Sequence, residues 1–476
     1  MATVASVVEV RTAAGTVRGA VEAGVAVFRG IPFAAPPVGE NRFAAPAPPQ
    51  QWDGARDALE FGPPPPQPGA DDTGDDWLTL NVWSPDPSRD AGLPVMVWIH
   101  GGAYTIGYSG LPEYDGARLA RDGVVLVTLN YRLGVEGFAL VEGTPANRGL
   151  LDQVAALEWV RDNVRAFGGD PGRVTVFGQS AGGGSVAALL AMPRAVGLFR
   201  RAVAQSVQGT FVTPELAGDI AGELAAVLGV TDLTSVDPEL LVLAGEEVTA
   251  AAGAHVGRWG PVAHRGILFA PVVDGEILPT APWRARHGVE LLVGHTRDEN
   301  RLFSVLDEVT AEKVAAAEEV FAPGPYPRAD PARLHDWILS DWMFRMPSLR
   351  LAERAATAWF YELTWSGALG ACHGLDVPLV FGTLTSGTPA ALIDDFAAAE
   401  KVSGQMRSAW IAFATTGDPG WPTFDTGLVR LFDVHPTVAP YPEVESRRIW
   451  RDHDFDPLGL HDEGPGRKRP GPWLSG

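Results

Sequence analysis

The sequence predicts an α/β protein built on one large, mostly parallel central sheet flanked by helices. Three observations carry the prediction. Apolar strand-like runs alternate with helical ones through the middle of the chain, and a Gly-x-Ser-x-Gly stands where one such run passes into a helix. The composition, 46% hydrophobic and 20% charged over 476 residues, is that of a chain able to bury a large core. Length alone would allow two or three domains, but α/β enzymes often lengthen the loops of one sheet with helices instead.

Taken in order, residues 6–30 read as short β-prone runs broken by Gly15, Gly19 and Gly24, a small N-terminal hairpin region. From Pro32 to Pro68 proline is too frequent for regular helix or central strand, so this stretch wraps the surface or edges a pocket. Strands are predicted at Leu78–Trp83, Val95–Ile99, Val124–Leu129 and Val174–Phe177, with helices over Gly149–Phe167 and after Ser180. Further strands are expected at Ala202–Gln205, Glu290–Gly294 and Phe360–Thr364. Between them, Ala- and Glu-rich helical segments, roughly 214–252 and 310–356, read as insertions capping the sheet rather than as separate domains. Residues after Asp462, rich in Gly, Pro and Arg, read as a frayed tail.

Charge and cysteine content narrow the function. Lys and Arg total 37 against 58 Asp and Glu, a net −21 spread along the chain, so nucleic acid would be repelled; the acidity serves solubility first and steering of cationic substrates second. One cysteine, Cys372, permits no intrachain disulfide, and neither CxxC nor His-rich metal spacing occurs, so no metal or other cofactor is expected. The opening residues lack a basic segment followed by an apolar one, and no apolar run reaches the ~18 residues of a membrane span. The expectation is a cytoplasmic protein, monomeric or weakly homo-oligomeric, with no membrane partner and a small-molecule substrate.

The chemistry is concentrated in Gly178-Gln-Ser-Ala-Gly182. A serine on a strand-to-helix turn is forced into a strained conformation that lifts Oγ clear of the backbone, and the flanking glycines leave room for the neighbouring strand and helix. This is the nucleophile elbow of the α/β-hydrolase fold, with Ser180 as nucleophile. Upstream, Val95–Ile99 runs into His100-Gly-Gly-Ala-Tyr104, a glycine turn that can aim backbone N–H groups at a developing oxyanion; Gly102, Ala103 and Ala181 are the candidate donors. In this fold the base follows an acid that itself follows the serine. Among His335, His373, His435, His453 and His461, only His373 lies in a loop just after a strand, at the sheet edge where open α/β sheets bind ligands. The same rule picks Asp298 or Glu299, after the strand Glu290–Gly294; spacing does not separate them. Asp274 is a weaker rival, because its Asp-Gly pair has a structural explanation as a turn.

Together these residues resemble the type-B carboxylesterase family, which includes bacterial aryl-ester esterases and the cholinesterases. The resemblance runs through Gly30-Ile-Pro-Phe-Ala-Ala-Pro-Pro-Val-Gly-Glu-Asn-Arg-Phe43, Leu80-Asn-Val-Trp83, Trp98-Ile-His-Gly-Gly-Ala-Tyr104 and Asn130-Tyr-Arg-Leu-Gly134. It continues through Gly149-Leu-Leu-Asp-Gln153, Phe167-Gly-Gly-Asp-Pro171, the elbow, His295-Thr-Arg-Asp-Glu299 and Cys372-His-Gly374, and looks closest to the bacterial members. It implies one catalytic domain over 1–476 with helical cap insertions at about 210–290 and 300–358, Glu299 as the acid, and the oxyanion donors already named. Three departures stand out. Gln179 replaces the family's usual Glu, Trp77 stands where animal relatives carry a disulfide cysteine, and the 74-residue interval from Glu299 to His373 looks short, implying a trimmed cap and an open gorge.

The expected reaction is ester hydrolysis through an acyl-enzyme, on short-acyl and aryl esters, with Tyr104, Phe211 and Phe344 as pocket walls. An amidase, lactonase or thioesterase could use the same machinery. A non-catalytic binding protein of cholinesterase-like build would have lost the nucleophile, whereas Ser180, Glu299 and His373 are all present.

Overall fold

Thirteen strands join in one sheet in the computed structural model, which describes residues 6–70, 74–305 and 308–461. They are β1 (Val7–Arg11), β2 (Thr16–Glu22), β3 (Val25–Pro32), β4 (Ala55–Asp57), β5 (Thr79–Ser84), β6 (Leu93–Ile99), β7 (Val125–Leu129), β8 (Gly169–Gln179), β9 (Arg201–Gln205), β10 (Glu290–Thr296), β11 (Ala358–Leu363), β12 (Leu428–Phe432) and β13 (Thr437–Pro440). Their spatial order is β1-β2-β3-β5-β7-β6-β8-β9-β10-β11-β12-β13, with β4 beside β2. From β7 to β12 every pairing is parallel; β1, β2, β3, β5 and β7 pair antiparallel in succession, as does β13 with β12, while β4 runs parallel to β2. The N-terminal hairpin region thus forms the antiparallel edge of the main sheet. The expectation for the tail after Asp462 lies outside the described residues.

The parallel strands are apolar on both faces, as strands covered by helices on both sides must be. In β6, Val95, Val97 and Ile99 enter one core and Met96 and Trp98 the other. The first core is closed by the helices Arg148–Asn163, Ala181–Ala191 and Met346–Arg354, the second by Asp376–Phe381 and Phe396–Thr416. The segments read as insertions are helical: Pro214–Leu228 and Pro238–Ala251, then Ala311–Val320, Pro331–Ser340 and, after a π turn at Asp341–Arg345, Met346–Arg354. Local sequence starts them, since Thr213, Asp237, Thr310 and Asp330 each accept an N–H of the first turn, three of them with proline just inside. The helix Phe396–Thr416 and the strands β12 and β13 were not expected from sequence.

The Pro-rich stretch ends beside the sheet's carboxyl edge, where Asn130 Nδ2 donates to Pro63 O and the Gln67 amide exchanges hydrogen bonds with the backbone of Gly107. Beneath it the loop after β7 is fastened by Arg132, whose guanidinium pairs with Asp152 at 2.8 Å, both fully buried. Arg148 donates to the carbonyls of Val135, Glu136, Ala139 and Pro145. Buried charges are tolerated here because each is paired or hydrogen-bonded. No helix among the described residues is long and apolar enough to cross a membrane.

Candidate active site

Ser180 follows β8 and precedes the helix Ala181–Ala191 at φ 60 and ψ −124, a backbone conformation that side chains rarely adopt. It is held there by close packing. A Cβ on Gly182 would lie 2.0 Å from Ile99 O, and one on Gly178 2.6 Å from the backbone of Gly182. The Ser180 N–H donates to Gln205 O, while its carbonyl accepts from Gly184 N.

The glycine turn after β6 lies against this elbow: a Cβ on Gly101 would stand 3.1 Å from Ser180 Cβ. Gly102, Ala103 and Tyr104 all have positive φ, at 111, 53 and 61, so the turn is coiled against the usual sense and its amides are turned out of the strand direction. Among the described residues, none of the N–H groups of Gly102, Ala103 and Ala181 donates to a protein acceptor. That of Ala181 is free because it opens a helix. Three unpaired donors near an elbow serine are an arrangement that can receive an oxygen gaining negative charge.

His373 Nδ1 lies 2.5 Å from Glu299 Oε2, and Glu299 Oε1 accepts from Thr296 N. Burial opposes ionisation of Glu299, but the charge and hydrogen bond of His373, with the Ser206 hydroxyl and His295, outweigh it and hold the carboxyl below its usual range. Asp298 is turned away to Arg297 and the Ala371 N–H; burial opposes its ionisation too, and those partners overcome it. The alternatives that spacing left open are therefore separated by geometry, since only Glu299 reaches the imidazole. Asp274 accepts from Glu276 N and Leu278 N in its own turn. His435 and His461 are exposed and His335 and His453 half-buried, whereas His373 is buried beside Glu299.

Phe344 stacks on the His373 ring at 4.1 Å between centroids, and Phe303 lies 5.4 Å from the same ring. Tyr104 and Phe211 need correction as pocket walls. Tyr104 is fully buried against Phe138, and Phe211, 1% exposed, meets Trp283 edge-on, so both pack into the core away from the imidazole; Phe344 is 2% exposed but borders that ring. Tyr104 points inward because its positive φ turns the side chain under the sheet edge, where its hydroxyl approaches Gly184. A cavity of about 360 Å³ begins instead at Ala103 and Thr105 and runs between Pro66–Pro68, Leu133–Val135 and the segment 266–269.

Sequence reasoning missed Phe303, Gln205 and Asp376. Gln205 donates to Asp376 at 2.8 Å and accepts from Trp410 Nε1. Burial pushes the Asp376 carboxyl up to about 6, against the Gln205 hydrogen bond. Asp376 follows His373 by three residues, the one signal that could have found it. His100 and His295 are fully buried and burial lowers each to about 4, so both are neutral parts of the frame.

An α/β sheet with a serine elbow, an unpaired amide cradle and an imidazole bonded to a carboxylate defines the serine hydrolases of the α/β-hydrolase fold. The comparisons narrow this class. The Carboxylesterase family model matches residues 5–322, and the chain belongs to that family. It is 38% identical to the para-nitrobenzyl esterase of Bacillus subtilis over 92% of this chain and 97% of that protein, and 36% identical to the phenmedipham hydrolase of Pseudarthrobacter oxydans over 87% and 92%. A solved PNB esterase superposes with a TM-score of 0.82 at 38% identity, covering 92% of this chain and 99% of that one. A Geobacillus stearothermophilus carboxylesterase superposes with a TM-score of 0.80 at 34% identity, covering 93% and 99%. The protein is a carboxylic ester hydrolase, and its α/β-hydrolase fold is as the sequence predicts.

Proposed function

We propose that the protein hydrolyses short-acyl and aryl carboxylic esters through Ser180, His373 and Glu299. The observation that carries this reading is the 2.5 Å contact between Glu299 Oε2 and His373 Nδ1 beside an elbow serine held at positive φ. Ser180 Oγ attacks the ester carbonyl and His373 Nε2 takes its proton; the oxyanion rests on the N–H groups of Gly102, Ala103 and Ala181. The proton then passes to the departing alcohol, leaving an acyl-serine. Water repeats the sequence, giving its proton to His373 and releasing the acid and free Ser180. Glu299 holds the imidazole in its Nδ1-protonated tautomer and stabilises the cation formed on the way.

The short-acyl preference is supported by the size of the cavity at Ala103, about 360 Å³, and the aryl preference by the exposed face of Phe303, which is backed by Phe344 beside the imidazole. We read the chain as one catalytic domain, because the inserted helices share the core of the sheet. A single cysteine and an ester of small size fit a cytoplasmic enzyme.

The test is labelling with diethyl p-nitrophenyl phosphate, mapped by mass spectrometry, beside hydrolysis of p-nitrophenyl acetate, butyrate, octanoate and palmitate. The label is expected on Ser180, kcat of Ser180→Ala is expected to fall by about 10⁴-fold or more, and kcat/KM is expected to peak at or below six acyl carbons. Label on another serine overturns the nucleophile; a maximum at palmitate overturns the pocket.

A further inference from the structure

The imidazole of His373 has a second partner. Gln179, the last residue of β8 and 6% exposed, places its side-chain Nε2 3.2 Å from His373 Nε2, whereas no hydrogen bond joins Ser180 Oγ to the ring. Glu299 at 2.5 Å takes the proton on Nδ1; in the tautomer that serves as a base, Nε2 is then a lone-pair acceptor, and the Gln179 amide N–H that faces it donates. Nε2 has one lone pair, and that lone pair is the one Ser180 needs as its base. The amide therefore occupies, in the free enzyme, the hydrogen-bonding position through which the nucleophile is activated.

We propose that Gln179 is a positioning residue that holds the neutral imidazole away from Ser180 until a substrate displaces it. This rests on the assignment of Ser180 and His373 made above and adds a regulated step to it. Two features fit an amide that lets go. The His373 contact is the only hydrogen bond of the Gln179 side chain among the described residues, so nothing else anchors it. Its Oε1 lies toward Gly101, where a Cβ would stand 3.3 Å from it, so glycine at 101 leaves the amide space at the turn that a bound ester carbonyl must approach. The step is a change of hydrogen-bond partner: Nε2 loses the amide N–H and gains the Ser180 O–H, and no proton is transferred until Oγ attacks.

A carboxylate at 179 would act in the opposite sense. It has no proton to donate to Nε2, and it attracts the imidazolium instead. The charged and titratable groups that face the ring are Glu299 at Nδ1 and Asp376, which senses the charge of His373 from the helix that follows; Cys372 precedes it and the phenyl rings of Phe344 and Phe303 cover it. Gln179→Glu therefore introduces a new anion at the one polar edge of the ring that carries none.

Two variants test the inference with the full-length protein. Gln179→Met keeps the side-chain volume and removes the donor. Labelling of Ser180 by diethyl p-nitrophenyl phosphate is expected to run about 5-fold faster than in the unaltered enzyme, the worth of one neutral hydrogen bond; an equal or slower rate overturns the proposal. In Gln179→Glu the acidic limb of the pH profile of kcat/KM for p-nitrophenyl butyrate is expected to move upward by about one pH unit, a readout that loss of packing alone does not shift; an unmoved limb overturns it, and this variant decides if Gln179→Met does not fold. The two readings fail separately. Label on a residue other than Ser180 in the unaltered enzyme removes the nucleophile, whereas label on Ser180 at an unchanged rate in Gln179→Met removes only the role of Gln179.

Discussion

A Cβ added to Gly182, in the turn beneath Ser180, would sit 2.0 Å from a backbone oxygen, whereas one added to Gly222, in the covering helix Pro214–Leu228, would meet nothing within 4 Å. The same residue type is obligatory in one region and incidental in the other. Around the elbow the chain is specified by contacts between backbones, which no side-chain rearrangement can relieve. In the covering helices it is specified by which apolar face finds the core, and many sequences satisfy that. The elbow can therefore be recognised from a short motif, and the substrate pocket cannot.

The comparison extends to the acid, because Asp298 and Glu299 are adjacent in sequence but have different surroundings. Glu299→Gln keeps the shape and removes the charge opposite His373, so kcat is expected to fall by about 10³-fold or more, as when a triad acid becomes an amide. Asp298→Asn loses ion pairs to Arg297 and Arg301 and should cost about 10-fold or less. Steady-state kinetics on p-nitrophenyl butyrate checks both, with circular dichroism to show that each protein is folded. The reverse ranking would place the acid at Asp298.

The two glycines give the next largest effect. Gly182→Ala is expected to destabilise the protein by about 3 kcal/mol or more, since Ile99 O or the elbow must move. Gly222→Ala is expected to be neutral or to stabilise by up to about 1 kcal/mol, because alanine is the better helix former. Urea midpoints of the two variants decide it. Equal tolerance at both positions would remove the distinction between a region fixed by backbone contact and one fixed by packing.

What was legible in the sequence follows the same division. Ser180, the glycine turn and the parallel strands around them could be read because each depends on local sterics and on period. His373 could be read because it follows a strand at the carboxyl edge. That Glu299 rather than Asp298 faces His373 was expected only from the family resemblance, since spacing is blind to which of two neighbouring side chains turns inward. Tyr104 and Phe211 were misjudged for a related reason: an aromatic near a motif reveals nothing about the face it takes, and both went into the core. β12, β13 and the helix Phe396–Thr416 were missed; Leu428–Phe432 has only five residues and its place is fixed by pairing with β11, whose register partners lie 69 positions away.

Behind the carboxyl edge lies a region that neither motif nor period announces. Glu362, near the end of β11, is fully buried, and among the described residues neither carboxyl oxygen has a hydrogen-bond partner. Burial and the nearby Glu443 push it up to about 8, against Arg345 and Arg297. Folded protein therefore keeps a proton that the unfolded chain loses near pH 4.5, so this group lowers stability as pH rises from about 4.5 through 8. Glu362→Gln should remove that loss, raising stability at pH 9 by more than about 1 kcal/mol and changing it little at pH 4. Urea unfolding at the two pH values is the measurement. An equal change at both would mean that Glu362 acts through packing rather than through its proton.

The smallest expected effect is at Phe344, where the two kinds of region meet, since a residue of the inserted helices stacks on the imidazole at 4.1 Å. Its ring is 2% exposed and lies almost parallel to that of Phe303, at 6.2 Å and 14°; Phe303 is 39% exposed, so Phe303 presents the open aromatic face beside the imidazole and Phe344 backs it. If an aromatic alcohol stacks there, Phe344→Leu removes contact geometry worth about 0.5–1.5 kcal/mol, or roughly 2- to 10-fold in rate. Loss of the ring also loosens His373, which would slow every substrate. The informative quantity is therefore the ratio of kcat/KM for phenyl butyrate to that for ethyl butyrate, in which a defect common to both esters cancels. The ratio is expected to fall in Phe344→Leu and to fall again when Phe303→Leu is added, whereas Phe211→Leu, away from any accessible surface, leaves it unchanged. A constant ratio across the first two variants would confine Phe344 to holding the imidazole and move the aryl preference to the cavity that opens at Ala103.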